Sequence, residues 1–412
     1  MAQLPMISFW LEKSVKASPR GTVPISLYLY APLEDEDYDS QAVETILSMF
    51  LDPQNTRRMR KLTLKVAGLR SSYKFPRTLD APILRSLELD FGESKIPLCL
   101  MHFVYLRQTT LRTFYWRPVL TESLSLGIRP WDRLTHIKFP LLDLKYDRGN
   151  TFLRSLLTVL IYCENLYSLE ITLAAPSRSH SAFPLPRTNS SRQERTQNFL
   201  RERGPFEMFS KASRDVTIIA LKHPVVLPRL AHFKFEAFGR EADPLLFYIE
   251  APKLHSLEII HHKGGVRLPT GILAMLHPCP PLTCLTIYDP NMSKQTVARL
   301  LAFSIPTLRY LELCVAPVGN RVMRALTITR RDRHPMPNIR KLVLPECTAS
   351  NGHLVDMVMS RRPVLQELRL SLPTTIKTGP RRRTVPRKQY KELRHLREMT
   401  RHFETQFLLT VD

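Results

Sequence analysis

The side chains best suited to chemistry stand together at His261-His262-Lys263-Gly264-Gly265, directly after a predicted strand. Paired imidazoles can ligate a metal ion. No cysteine or carboxylate stands near them in sequence at a ligand spacing, so the cluster reads as a surface turn. Cys279 and Cys284 are separated by four residues, two of them proline, and no second pair completes a zinc set. A reactive thiol at Cys284 has no support from its sequence neighbours. No Gly-x-Ser-x-Gly, His-Glu-x-x-His or Walker-type phrase occurs, and the 13 glycines form no phosphate-cradling loop. The chain therefore reads as non-enzymatic, without cofactor or metal, and the question becomes what could position a recognition surface.

One apolar phrase recurs eleven times: large apolar, two residues, large apolar, one residue, large apolar. It runs Met59-Leu62-Leu64, Leu84-Leu87-Leu89, Leu111-Phe114-Trp116, Leu134-Ile137-Phe139 and Leu166-Leu169-Ile171. It resumes as Leu230-Phe233-Phe235, Leu254-Leu257-Ile259, Leu282-Leu285-Ile287, Leu308-Leu311-Leu313, Ile339-Leu342-Leu344 and Leu365-Leu368-Leu370. Successive triplets begin 23 to 32 residues apart, with one interval of 64. A bare template also matches by chance, so the weight falls on a second signal. Proline sits two positions ahead of the triplet in seven cases, at Pro82, Pro228, Pro252, Pro280, Pro306, Pro337 and Pro363. Lacking a ladder donor, proline suits a strand's entry and not its centre. This period predicts an α/β fold: an irregular leucine-rich-repeat solenoid, or horseshoe. One parallel sheet lines its concave side, with helices and coil on the convex side.

The expected solenoid covers residues 1–371. It begins with a short helix at Ile7 to Leu11 and a strand from Pro24 to Tyr30, where Ile25, Leu27 and Leu29 alternate. Apolar residues at helical spacing predict helices around Val43 to Phe50, Phe152 to Leu160, Val297 to Ser304 and Leu354 to Val358. The long interval holds a Ser-, Pro- and Arg-rich stretch at about 175–206, read as a disordered insertion, with a degenerate repeat around Val216 to Leu221. Residues 372–412 read as a basic tail and a C-terminal capping helix from about Arg387 to Leu409. No apolar run is long enough to span a bilayer. Met1 to Trp10 lacks a signal-peptide pattern, and six cysteines without a CxxC pair fit a reducing compartment. The expected location is cytoplasmic, nuclear or both.

Net charge is +23, which invites a nucleic-acid reading. Strand alternation sends triplet positions three, five and seven to the concave face. There Lys61, Lys65, Arg117, Lys138, Lys234, Lys341 and Arg369 balance Glu88, Asp90, Glu170, Glu236, Glu258, Glu312 and Glu367. A neutral face disfavours a phosphate groove. The excess lies elsewhere: from Lys377 to Arg401 ten Lys or Arg oppose Glu392 and Glu398, and Arg381, Arg382, Arg383, Arg387 and Lys388 form a basic tail segment. That segment reads as the solvated flank of a cap or as an import or polyanion contact. The neutral face also carries Tyr115, Tyr288, Tyr310, His136 and His232. With Lys138, Lys234, Glu258 and Glu312 they form the candidate partner-binding set, since aromatic anchors dominate binding energy at protein interfaces.

Two features resemble the fungal, mushroom-type F-box proteins with irregular leucine-rich repeats. One is Ile7-Ser8-Phe9-Trp10-Leu11-Glu12-Lys13-Ser14 continuing to Pro24-Ile25-Ser26-Leu27. The other is the proline-led phrase at Pro82 to Leu89, Pro252 to Ile259 and Pro306 to Leu313. The resemblance implies the substrate-recognition repeats of a ubiquitin-ligase adaptor. It departs from the family in lacking the N-terminal F-box, so a Skp1-type adaptor is an expected partner only of a longer product carrying one. It also lacks the asparagine ladder, whose positions hold Ala67, Gly92, Ala174, Pro290, Ala316 and Cys347. The reading is a non-catalytic protein–protein interaction module. The alternatives are a nucleic-acid-associated protein using the basic insertion and tail, and a truncated or decayed paralogue.

Overall fold

A computed structural model describes residues 24–31, 40–66, 80–90, 110–117, 131–143, 156–157, 159–174, 224–238, 243–262, 268–277, 280–315, 318–329, 335–345, 347–349, 352–370 and 408–411. It also describes residues 6, 9 and 11–13. The chain divides into two compact units, Met1–Arg229 and Leu230–Asp412.

The first unit contains β1 (Ile25–Ala31), β2 (Met59–Val66), β3 (Ser86–Asp90), β4 (Thr113–Arg117), β5 (His136–Asp143), β6 (Ser168–Ala174) and the two-residue β7 (Val225–Val226). Strands β1 to β6 lie side by side in chain order, every neighbour parallel. The register sets Leu27, Leu62, Leu87, Phe114, Ile137 and Leu169 in one buried row. Each fully buried leucine in such a row contributes about 1.5–3 kcal/mol. Parallel neighbours need crossovers. Helices Ser40–Phe50 and Pro53–Thr56 lie between β1 and β2, the second capped by Asp52, whose carboxylate accepts from Gln54 N at 2.9 Å. A short 3-10 turn, Trp131–Arg133, precedes β5 and sets the Trp131 ring edge-on to Phe114 at 5.8 Å.

The second unit contains β8 (His232–Ala237), the two-residue β9 (Ile249–Glu250), β10 (Ser256–His261), β11 (Cys284–Asp289), β12 (Tyr310–Val315), β13 (Lys341–Leu344), β14 (Glu367–Leu370) and β15 (Leu408–Val411). Strands β8 and β10 to β15 again run parallel in chain order. Phe233, Leu257, Leu285, Leu311, Leu342 and Leu368 form its buried row. Helices Asp243–Phe247, Leu268–Leu276, Lys294–Leu301, Asn320–Leu326 and His353–Arg361 fill successive crossovers from β8 to β14, and neighbouring helices touch. Three of these were not foreseen: Asp243–Phe247, Leu268–Leu276 and Asn320–Leu326. Asp243–Phe247 and Asn320–Leu326 span too few residues to show a period, and Leu268–Leu276 is apolar at most of its positions, so no one-sided stripe stands out in it.

The last two residues of all eleven triplets fall on strands of an open, parallel, α/β arrangement, and in ten of them the first residue stands two positions before the strand. The seven prolines each stand four residues before the first strand residue. They act one step earlier than a strand entry. Pro82, Pro252 and Pro306 occupy the second position of turns closed by Leu84 N to Ala81 O, Leu254 N to Ala251 O and Leu308 N to Ile305 O. Proline's fixed φ pre-sets that position.

Two expectations are corrected. The predicted capping helix would take in Leu408 and Leu409; instead they open β15, which pairs in parallel with β14. The free edge of β14 offers ladder partners that a helix end cannot use. His261 is not in a surface turn: β10 runs two residues past its triplet, and alternation buries His261 beside Leu257 and Ile259. The insertion at 175–206, the segment 216–221 and the basic tail residues lie outside the described residues. No described helix is long and apolar enough to cross a membrane.

One buried charge fastens the second unit. Arg361, fully buried, donates from Nε to Leu326 O at 2.6 Å and from Nη1 to Met336 O at 2.8 Å. It thus binds a helix end and the turn before β13 to helix His353–Arg361. Burial lowers its pKa to about 10.

Candidate interaction surface on the outward sheet face

Alternation that buries the triplet leucines turns the intervening residues to the other face, and parallel register makes them neighbours. In the first unit one row reads Thr63, Glu88, Tyr115, Lys138, Glu170. Lys65 pairs with Glu88 at 2.9 Å, and Lys138 with Glu170 at 2.7 Å. Both ammonium groups also flank the Tyr115 ring, Lys65 at 5.8 Å and Lys138 at 5.7 Å from its centroid. Tyr115 is thus held between two cations, each with its own carboxylate. The hydrogen bond to Glu88, with its charge, raises the Lys65 pKa against the opposing effect of burial. His136 is exposed at the start of β5, its Nδ1 2.9 Å from Thr135 Oγ1 and its ring 5.8 Å from that of Tyr167.

In the second unit Lys234 pairs with Glu258 on the next strand at 2.9 Å. Tyr310 donates its hydroxyl to Glu312 Oε2 at 2.6 Å, and Cys314 donates to Oε1 of the same carboxylate at 3.7 Å. Lys341 lies over the Tyr310 ring at 5.5 Å and pairs with Glu367 at 3.0 Å. Arg369 holds the other oxygen of Glu367. Burial, then the hydrogen bond to Glu312, push the Tyr310 pKa up. Burial alone would raise Glu367, but the bonds from Lys341 and Arg369 together hold it low. His232 stands exposed at the start of β8, opposite Ser256.

The candidate residues therefore fall into two local sets: Tyr115 with Lys138 in the first unit, and Tyr310 with Glu312 and Lys234 with Glu258 in the second. Tyr288, 40% exposed, belongs to a further group that sequence spacing concealed. The His262 ring stacks on Phe238 at 4.1 Å and 11°, approaches Tyr288 at 5.8 Å, and its Nε2 lies 2.8 Å from Glu236 Oε1. The carboxylate that His262 meets is Glu236, which reaches it from the neighbouring strand, 26 residues away. Tyr28 and Tyr30 on β1 were also overlooked. They are 62% and 61% exposed and abut Thr63 and Lys65. Their signal was the Ile25, Leu27, Leu29 alternation, whose complement points outward. The Arg117 side chain lies outside the described residues.

No group of His, Cys, Asp or Glu among the described residues could hold a metal ion. Burial raises the Cys284 pKa and drives that of Cys163 up to about 12, so both remain thiols at neutral pH. The outward face carries tyrosines beside hydroxyl and charged groups in hydrogen-bonded and ion pairs. No family model matches this sequence, and no curated protein matches it.

Proposed function

We propose that this chain is a non-catalytic protein-recognition module, an irregular leucine-rich-repeat solenoid similar to the substrate-recognition repeats of fungal F-box adaptors. The partner seats on the outward, concave sheet face. The observation that carries this reading is Tyr115 clamped between Lys65 and Lys138, with Tyr310 fixed likewise by Glu312 and Lys341. An aromatic side chain held in place before binding loses little conformational freedom on contact, which favours affinity. Internally paired charges leave little net field, which suits a protein surface better than a polyanion. Coupling to a Skp1-type adaptor is proposed only for a product that carries an F-box.

The test is affinity enrichment from an extract of the source organism with the intact chain and with the triple variant Y115A/Y288A/Y310A. The module reading expects a partner, retained at moderate salt, that the triple variant loses without a change in melting temperature. Equal enrichment by both proteins removes this face from consideration.

A further inference from the structure

The rim where the strands begin carries a second pattern, different in kind from the outward face. At each crossing one carbonyl accepts two N–H groups of the next strand. Arg85 O accepts from Arg112 N (2.8 Å) and Thr113 N (3.0 Å), and Arg112 O from Thr135 N (2.8 Å) and His136 N (3.0 Å). Thr135 O accepts from Tyr167 N (2.8 Å) and Ser168 N (2.9 Å), while Arg85 N donates to Arg60 O at 2.8 Å. This repeated node aligns Arg60, Arg85, Arg112, Thr135 and Tyr167 across β2 to β6. At the ordinary strand spacing the row is about 19 Å long.

Its three arginines are exposed, and Arg60 and Arg85 make no ion pair with a described residue. On the outward face lysines stand against glutamates; here three like charges abut, which costs stability across neighbouring strands. Arg112 Nη1 donates to Arg133 O at 3.0 Å, so Arg133 adds a fourth exposed cation. Carboxylates near the row in sequence are engaged elsewhere: Lys65 holds Glu88 at 2.9 Å, Arg57 holds Asp80 at 2.7 Å, and Asp52 caps a helix by accepting from Gln54 N. The row ends on Tyr167, 46% exposed, whose ring stands 5.8 Å from that of His136.

We propose that this row binds a single-stranded nucleic acid, its phosphates on Arg60, Arg85 and Arg112 and a base stacked on Tyr167. Guanidinium groups match phosphate oxygens in a bidentate fork. A line of cations ending in an aromatic plane is the arrangement that tracks a single strand without reading its sequence. An anionic membrane calls for a plane of charge and an acidic protein for apolar anchors between the cations; a one-residue-wide row supplies neither.

The test uses the full chain and a fluorescein-labelled oligothymidylate in fluorescence anisotropy. Substituting R60Q/R85Q/R112Q should weaken binding about tenfold or more and reduce the slope of log affinity against log salt by about 2, the value for three lost phosphate contacts. The same charge change on exposed helix residues, R299Q/R321Q/R324Q, should leave affinity within about twofold, which separates the row from the general charge of the chain. R60K/R85K/R112K, which keeps the charge but loses the fork, should keep the salt slope while binding more weakly than the parent and more tightly than the glutamine triple, and R60Q/R85Q serves if the triple variant melts early. Y167A should weaken oligothymidylate binding and leave inorganic polyphosphate binding unchanged. Equal losses in both glutamine triples would overturn the proposal. So would row variants within twofold of the parent, or tighter binding to phosphatidylserine vesicles or polyglutamate than to the oligonucleotide.

Discussion

His261 and Asp289 face each other across β10 and β11 on the buried side of the sheet, Nδ1 to Oδ2 3.9 Å apart, with side chains 0% and 1% exposed. A row of leucines and isoleucines is interrupted there by a polar pair. Asp289 Oδ1 accepts from Asn291 N at 3.0 Å, which closes the turn leaving β11. Oδ2 has no hydrogen-bond partner among the described residues. Burial raises the Asp289 pKa, more than the Asn291 and Met292 amides and the His261 charge lower it.

That shift fixes the sign of a pH effect. A carboxyl whose folded pKa lies above its unfolded value binds more protons when folded. Its stabilising contribution is complete below the unfolded pKa, about 3.9, and is lost as pH rises through the folded pKa. Asp289→Asn keeps the Oδ1 acceptor and removes the titration. Urea unfolding from pH 4 to pH 7 should show the variant gaining on the parent as pH rises, and parallel curves would contradict the assignment.

Arg361 tests the clasp between helices. Arg361→Ala leaves Leu326 O and Met336 O without their buried donor and opens a void. The expected cost is about 3 kcal/mol or more, read as a lower urea midpoint at unchanged slope. A loss under about 1 kcal/mol would mean that water replaces the guanidinium.

Gly352 precedes helix His353–Arg361 at φ 79°, and an added Cβ there meets nothing within 4 Å. Gly352→Ala therefore isolates backbone strain from crowding. It should cost about 1–2 kcal/mol. Gly319, with an extended φ of -101° and neighbours no nearer than 3.5 Å, should tolerate alanine and serves as the comparison.

The Lys65–Glu88 and Lys138–Glu170 pairs are part-exposed, with lysine side chains 31% and 41% accessible. Such pairs are worth about 0–1 kcal/mol each. Lys65→Met with Lys138→Met should hardly move the melting temperature, yet release the Tyr115 ring. Its ring order parameter, read by NMR relaxation on ring-labelled tyrosine, should then fall, whereas an unchanged value would mean that the lysines do not hold it.

The strand array was legible because one leucine in the wrong place would bury a charge or expose the core, and at seven of the eleven repeats a proline marks the same phase. Register was legible for the same reason, and with it the row that brings Tyr115 beside Lys138. Pairing was not. Lys65 reaches Glu88, and Glu236 reaches His262, across strands whose separation in sequence gives no hint of contact. His261 was misjudged because a polar residue beyond a triplet looks like a turn until the strand's true end is known. The entry-row arginines Arg60, Arg85 and Arg112 carry no signal in the sequence, since their alignment arises from a backbone node and not from side-chain periodicity.

The proposed seating of partners on the outward sheet face is open to direct test. Site-specific photo-cross-linking addresses it directly, with p-benzoylphenylalanine placed at Tyr115, at Tyr310 and, on the helical side, at exposed Arg321. Partner adducts from the first two positions and none from Arg321 are the predicted result. Adducts from Arg321 alone, or in equal yield from all three, would contradict it.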